Sequence, residues 1–198
     1  MKYIPDLKTA RGKYIISSHR RSGSHFFLAA LRSIRMRYKM DDGTIRHWKP
    51  DHPFLERDCD DLSSVINIVR DGRDVLVSCY HYYKKTERLD KIFEKATFQD
   101  YLYGKVKVEN PYRIIGQHWT EQMFYDPVGY WVDFVESWLP YGIMVKYEDM
   151  LERFKIPLCG RHHRKGIKGD YTNHFTNKDN KYFLSIAGDL MLKLNYIV

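Results

Sequence analysis

Cysteine is scarce in this 198-residue chain, which has three: Cys59, Cys79 and Cys159. Their odd number and wide spacing exclude a disulfide framework and a zinc-ligand pattern. The thiols are expected to be reduced, in a cytoplasmic setting. Long apolar runs are missing as well. No uninterrupted stretch is long enough to span a bilayer, and the opening Met1-Lys2-Tyr3-Ile4-Pro5-Asp6 lacks the apolar centre of a signal peptide. The chain shows no clustering of metal ligands, no internal repeat, no low-complexity tract and no linker, so a single domain over residues 1–198 without a metal is expected. A Walker A loop is also absent. Its pattern needs a glycine five positions before Gly23, and none stands there.

What is present points to an anionic partner. A hydrophobic content of 43% with 29% charged residues is that of a globular chain able to bury a core. The net charge of +8 suits nucleic acid, acidic lipid, an anionic glycan or a phosphorylated cofactor, and charge alone does not choose among them. Aromatic residues make up 15% of the chain, with 16 tyrosines, enough to wall a pocket.

Apolar periodicity alternates between strand and helix. Strands are expected at 13–17, at Val65-Ile66-Asn67-Ile68-Val69 and at 142–147. Helices are expected from Phe27 to about Tyr38, within 54–62, and over 74–85, 98–103, 111–124, 127–139, 149–154 and 178–194. Two prolines in Ile45-Arg-His-Trp-Lys-Pro-Asp-His-Pro53 indicate a loop, and 161–176 reads as a basic, glycine-punctuated loop. The alternation predicts an α/β domain with a parallel central sheet flanked by helices. Ligands of such sheets bind beyond the carboxyl ends of the strands.

Three stretches there carry anion chemistry. Ser17-Ser-His-Arg-Arg-Ser-Gly-Ser-His-Phe-Phe27 reads as strand, tight basic loop and helix start. The helix start offers backbone N–H groups and a positive dipole end. Arg20 and Arg21 add charge, Ser22 and Ser24 add hydroxyls, and Gly23 allows close approach. Next, Val69-Arg-Asp-Gly-Arg-Asp-Val-Leu-Val-Ser-Cys-Tyr-His81 sets Arg70 at a strand end and Ser78 in the following helix, with Asp71 and Asp74 as caps or partners of Arg73. The third stretch, Arg164-Lys-Gly-Ile-Lys-Gly-Asp-Tyr-Thr-Asn-His-Phe-Thr176, is a cationic loop in which Gly166 and Gly169 free N–H groups for an anion.

These three stretches, in this order, resemble the sulfotransferase family. Arg20-Arg21-Ser22-Gly23-Ser24-His25-Phe26 stands where the family has P-K-S-G-T-T-W. Arg70, Asp74, Val77, Ser78, Tyr80 and His81 match R-N-x-x-D-x-x-V-S-x-Y-H, with Asp71 for Asn. The third loop matches R-K-G-x-x-G-D-W-K-N-x-F-T except at Tyr171 and Thr172, and weaker matches fall at Gly129–Val135 and Val145–Met150. Few residues separate Asp149 from Arg164, where the family usually has helices and adenine contacts.

The resemblance implies a P-loop NTPase-like sulfotransferase fold. It also implies 3′-phosphoadenosine 5′-phosphosulfate as donor, 3′,5′-bisphosphoadenosine as product, and a hydroxyl-bearing acceptor. Arg20 to Phe26 are expected to form the 5′-phosphosulfate loop, with Arg21 at the leaving group and Phe26 beside the adenine. Arg70, Ser78, Arg164, Lys165 and Gly166 are expected on the 3′-phosphate. His52, in Lys49-Pro50-Asp51-His52-Pro53, takes the place of the family's base, with His47 and then His25 as alternatives. Acceptor walls are expected from 80–83 and 93–119, with no nucleic acid and no membrane span. Three other readings stay open: a cofactor-binding domain without turnover, a P-loop phosphoryl-transfer enzyme, and a nucleic-acid-binding domain.

Overall fold

The computed structural model describes residues 14–30, 45–47, 65–87, 89–109, 121–153 and 166–196. They fall into two compact units, one of residues 1–70 with 137–167 and the other of 71–136 with 168–198.

The first unit is built on a parallel sheet. Its strands are β1 (Tyr14–Ser18), β2 (Ile45–His47), β3 (Val65–Val69) and β4 (Ile143–Lys146). Their order is β2-β1-β3-β4, and every neighbouring pair is parallel. The β-branched run Val65-Ile66-Asn67-Ile68-Val69 is buried apart from Ile66, which is half-buried, as a central parallel strand requires. From β1 the chain goes to β2 on one side and returns to β3 on the other. The strand order therefore reverses between β1 and β3, the point where open α/β sheets bind ligands.

Two helices of this unit share a core with the sheet. Helix α1 begins at residue 24 and is described to 30; α7 (Tyr147–Arg153) directly follows β4. Phe26 and Phe27 of α1 pack with Ile68 of β3 and with Tyr147 and Met150 of α7. The Phe26 and Tyr147 rings meet edge to face with centroids 6.1 Å apart, a geometry that adds to the area they bury.

The second unit is helical: α2 (Gly72–Tyr83), α3 (Asp90–Lys95), α4 (Phe98–Leu102), α5 (Gln122–Tyr125), most of α6 (Pro127–Trp138), a 3-10 turn (Asp170–Asn173) and α8 (Asn177–Lys193). Asp71 caps α2 by accepting the Arg73 N–H at 2.9 Å. The first residue of α2 is glycine because a Cβ at Gly72 would come within 2.8 Å of the rings of Phe183 and Trp131. Thr176 and Asp179 close a capping box at the start of α8.

The structure changes several expectations. Ile45 to His47, read as loop, pair with Tyr14 to Ile16, because the two prolines fall only after the strand. Helix α3 lies in a stretch assigned no element, and α2 begins at Gly72 rather than Asp74. Of the aromatic residues expected to wall an acceptor pocket, Tyr80, Tyr83, Phe93 and Tyr101 are instead packed on each other and on Phe124. Tyr80, Tyr83, Phe93, Tyr101 and Phe124 are all buried, with ring centroids 5.2 to 6.3 Å apart. The helices expected at 31–38, 54–62 and 111–120 lie outside the described residues. Among the described residues, no helix is long and apolar enough to cross a membrane.

Asn67 is the one polar side chain in the buried centre of β3. Its amide donates to the carbonyls of Trp138, at 2.9 Å, and of Tyr141, so it fastens the α6–β4 turn to the sheet. Trp138 C=O also accepts the Tyr141 N–H at 3.0 Å, so one carbonyl takes both the turn's own amide and the Asn67 side chain. Asn67→Ala is expected to cost about 1–2 kcal/mol in denaturant unfolding, with an unchanged denaturant slope.

Candidate functional site

The loop after β1 is shaped by backbone that most residues avoid. The Ser22 N–H bonds the His19 carbonyl at 3.1 Å, closing a turn whose third residue, Arg21, has φ +67°. That left-handed position usually takes glycine, and a side chain there costs on the order of 1–2 kcal/mol. Gly23 follows with φ +101°. A Cβ at Gly23 would sit on the ring of Tyr147, so both its conformation and its space demand glycine. Helix α1 then starts, its first turn closed by Phe27 N–H to Gly23 C=O at 3.0 Å. The amides of residues 24–26 stand ahead of that bond with no intrahelical carbonyl to take them.

Ser22 is 1% exposed, and its Oγ has no hydrogen-bond partner. A buried hydroxyl left so is costly unless a ligand completes it. Together with the helix start, it suits the oxygens of a tetrahedral anion.

Arg70 leaves the end of β3 and reaches back over this loop. Its Nη1 donates to Arg21 C=O at 3.3 Å and its Nη2 to Ile167 C=O at 3.2 Å, while the guanidinium lies 4.6 Å from the centre of the Tyr147 ring. The first unit thus brings Arg20, Arg21, Ser22, Gly23, Ser24 and His25 into one loop and helix start, with Arg70 across it and Gly166 beside Ile167 in sequence. Tyr147 is part of the same construction: it stacks under Arg70 and walls Gly23. The sequence marks Tyr147 only within the weaker match at Val145–Met150, with no site role. The missed signal was its place straight after a parallel strand, at the ligand-binding end of the sheet.

Other assignments fall differently. Phe26 was expected on the adenine. Its ring is 2% exposed within the core with Tyr147, Ile68 and Met150, so it has no open face for a base. Gly169 was expected to offer its N–H to an anion, but that N–H donates to Asp74 Oδ2 at 2.7 Å. Ser78 is buried in α2 of the second unit. His47 ends β2 opposite Ile16, so its backbone lies at the same end of the sheet as the loop. His52, Arg164 and Lys165 lie outside the described residues. No group of three or more His, Cys, Asp or Glu placed to hold a metal occurs among the described residues.

His19 is a further residue that sequence reading passed over. It is 4% exposed at the floor of the loop, and its Nδ1 lies 2.9 Å from Arg20 C=O. A carbonyl only accepts, so Nδ1 carries the ring proton and Nε2 is the basic nitrogen. Burial, with a smaller contribution from the neighbouring Arg20 charge, lowers its pKa from 6.5 to about 4, against the opposing effect of the backbone hydrogen bond.

No protein-family model and no curated sequence matches the chain. Among solved structures it resembles a mouse sulfotransferase, SULT7A1, crystallised in complex with PAP. The match has a TM-score of 0.53 and 18% identity, covering 91% of this chain and 84% of that one. The fold defined by the parallel sheet and its flanking helices is therefore a sulfotransferase-like α/β fold.

The neutral His19 makes stability depend on pH. Its folded pKa lies below its unfolded one, so the unfolded chain binds the proton first. The stabilisation is complete above 6.5 and is lost as pH falls toward about 4. At about 1.4 kcal/mol per pKa unit the loss approaches roughly 3 kcal/mol. His19→Gln is expected to flatten the fall in melting temperature over that window, measured by thermal unfolding across a pH series.

Proposed function

We propose that this chain is a sulfotransferase, one domain over residues 1–198, using 3′-phosphoadenosine 5′-phosphosulfate and a hydroxyl-bearing acceptor. The observation that carries the reading is the β1 loop. There a left-handed Arg21, a glycine pressed on Tyr147 and a buried, unpartnered Ser22 hydroxyl meet a helix start at the switch point of a sulfotransferase-like sheet.

The donor supplies a sulfuryl group on a phosphate leaving group. Ser22 and Ser24, with the amides of Gly23 and Ser24, hold the 5′-phosphate, and Arg20 and His25 border it. Arg21 offsets the charge that builds on the departing oxygen. Arg70, Ser78, Arg164, Lys165 and Gly166 recognise the 3′-phosphate through charge-assisted hydrogen bonds. His52 takes the acceptor's proton, with His47 and then His25 as alternatives. No metal has a role in this scheme. The acceptor is a small-molecule, lipid or glycan hydroxyl, and the scarce, widely spaced cysteines suit a cytoplasmic enzyme.

The reading is tested by ligand-induced thermal shift. Bound ligand stabilises the native state according to its affinity. 3′,5′-Bisphosphoadenosine is expected to raise the melting temperature, and ATP with magnesium is not. The reverse order indicates a phosphoryl-transfer enzyme, and a response to RNA or DNA that collapses with salt indicates a nucleic-acid-binding domain.

Residue roles separate by kinetics. Arg21→Ala is expected to lower turnover by at least about a hundredfold while bisphosphoadenosine affinity falls less, with Arg21→Lys retaining part of the rate. His52→Ala is expected to keep cofactor affinity and lose turnover by a similar factor. If His47→Ala does so instead, the base is His47. Binding without turnover in the unaltered chain would indicate a cofactor-binding protein.

A further inference from the structure

Two exposed lysines of the second unit converge on one tyrosine ring. Lys105 follows α4, and Lys178 lies in the first turn of α8. Their Nζ atoms stand 5.8 Å and 6.0 Å from the centre of the Tyr103 ring. The negative face of the ring attracts them, but it does not neutralise them. Among the described residues neither lysine forms an ion pair. Lys181, three residues after Lys178 on the same helix, is exposed as well and extends the row. Like charges gathered in this way oppose folding, and a bound anion relieves them.

The ring between the lysines is held in place. Tyr103 Oη donates to Asp179 Oδ1 at 2.8 Å. Asp179 is 1% exposed, and its other oxygen takes the Thr176 N–H at 2.9 Å and Gln99 Nε2 at 3.2 Å. Tyr182, four residues after Lys178, lies against the same ring with centroids 4.6 Å apart and planes tilted by 51°. Both tyrosines are half-buried, so each keeps an exposed part. Two tilted rings flanked by ammonium groups offer an apolar wall and positive charge side by side. A ligand that uses both carries C–H faces and anionic groups on one chain.

We propose that this face binds an anionic glycan, with sugar rings against Tyr103 and Tyr182 and sulfate or carboxylate groups on Lys105, Lys178 and Lys181. All of these residues belong to the second unit, and the binding needs no sulfuryl transfer. Lysine suits such a partner. Its ammonium is a point charge on a flexible stem and follows groups whose positions vary along a chain. None of the three cations is an arginine, whose fork reads a base edge. Charge spacing separates the glycan from a nucleic acid. A nucleic-acid strand carries a charge at every nucleotide, about 3.4 Å apart along a duplex. The lysine row has carboxylates at its edges. Asp100 has its pKa lowered chiefly by hydrogen bonds from Thr97 and further by Lys105. Asp126 adds to burial in raising the pKa of Tyr182. A continuous phosphate backbone meets these carboxylates, whereas a glycan sets uncharged ring edges between its anionic groups.

The test is calorimetric binding of a sulfated oligosaccharide prepared from heparin to the full chain, beside single-stranded DNA of the same net charge. The oligosaccharide is expected to bind more tightly than the DNA. Lys105→Gln with Lys178→Gln is expected to lower its affinity about tenfold through the loss of two charged contacts. Lys91→Gln with Lys95→Gln, which removes the same charge from exposed positions of α3, is expected to lower it less than about twofold. Tyr182→Leu, which keeps apolar bulk and removes the ring, is expected to lower it about threefold. The lysines are exposed, so their replacement leaves the core intact and decides the matter if Tyr182→Leu does not fold. Equal losses from the two lysine pairs mean attraction by net charge alone and overturn the proposal. DNA that binds as tightly as the oligosaccharide makes this a nucleic-acid surface and overturns it too, as does an unaltered chain without affinity for the oligosaccharide. Binding of 3′,5′-bisphosphoadenosine is read separately, so neither failure carries the other.

Discussion

The guanidinium of Arg70 joins three segments of the first unit that are remote in sequence. It bonds a carbonyl of the β1 loop at Arg21 and one of the glycine loop at Ile167, and it lies over Tyr147 at the start of α7. A planar, always-charged fork with several donors is suited to this, and a lysine would hold at most one of the carbonyls in a defined direction. Arg70 is 6% exposed, so its desolvation is costly, and the bonds and ring that receive it are what make the position tenable. The same properties that fit it to gather loops fit it to gather a phosphate.

Around it, local strain is held by packing. Arg21 and Gly23 both have positive φ, and the loop keeps that shape because Phe26, Phe27, Tyr147, Met150 and Ile68 close a core directly beneath it. A side chain on Gly23 would meet the ring that Arg70 stacks on. Backbone of this kind persists only where its surroundings over-determine it, and that packing does so here.

The second unit solves a related problem with internal anions. Asp71, Asp74 and Asp179 are all buried, and each takes backbone amides at the start of a helix or turn. In Asp179 the bonds from Thr176, Tyr103 and Gln99 outweigh burial and hold its carboxyl below the usual carboxylate range. Tyr103, donating to it, has its own pKa raised to about 12, with that hydrogen bond the largest cause.

The amino-acid sequence by itself determined the parallel α/β plan, since β-branched runs alternating with helical spacing allow little else, and it marked three stretches as candidates for anion binding through their Arg, Ser and Gly content. It also placed β3, α6 and α8 within a residue or so, where caps and prolines punctuate the chain. Only the tertiary structure decided what each polar group faces. Ile45 to His47 become a strand because Tyr14 to Ile16 lie beside them, and pairing with a remote partner leaves no periodic trace in a three-residue run. Phe26 belongs to the core because Tyr147 and Met150 arrive over it from far along the chain. The Gly169 amide belongs to Asp74, and the Tyr147 ring to Arg70 and Gly23, for the same reason. Residue type specifies which bonds a group is able to make, and the chain's long-range closure selects which one it makes.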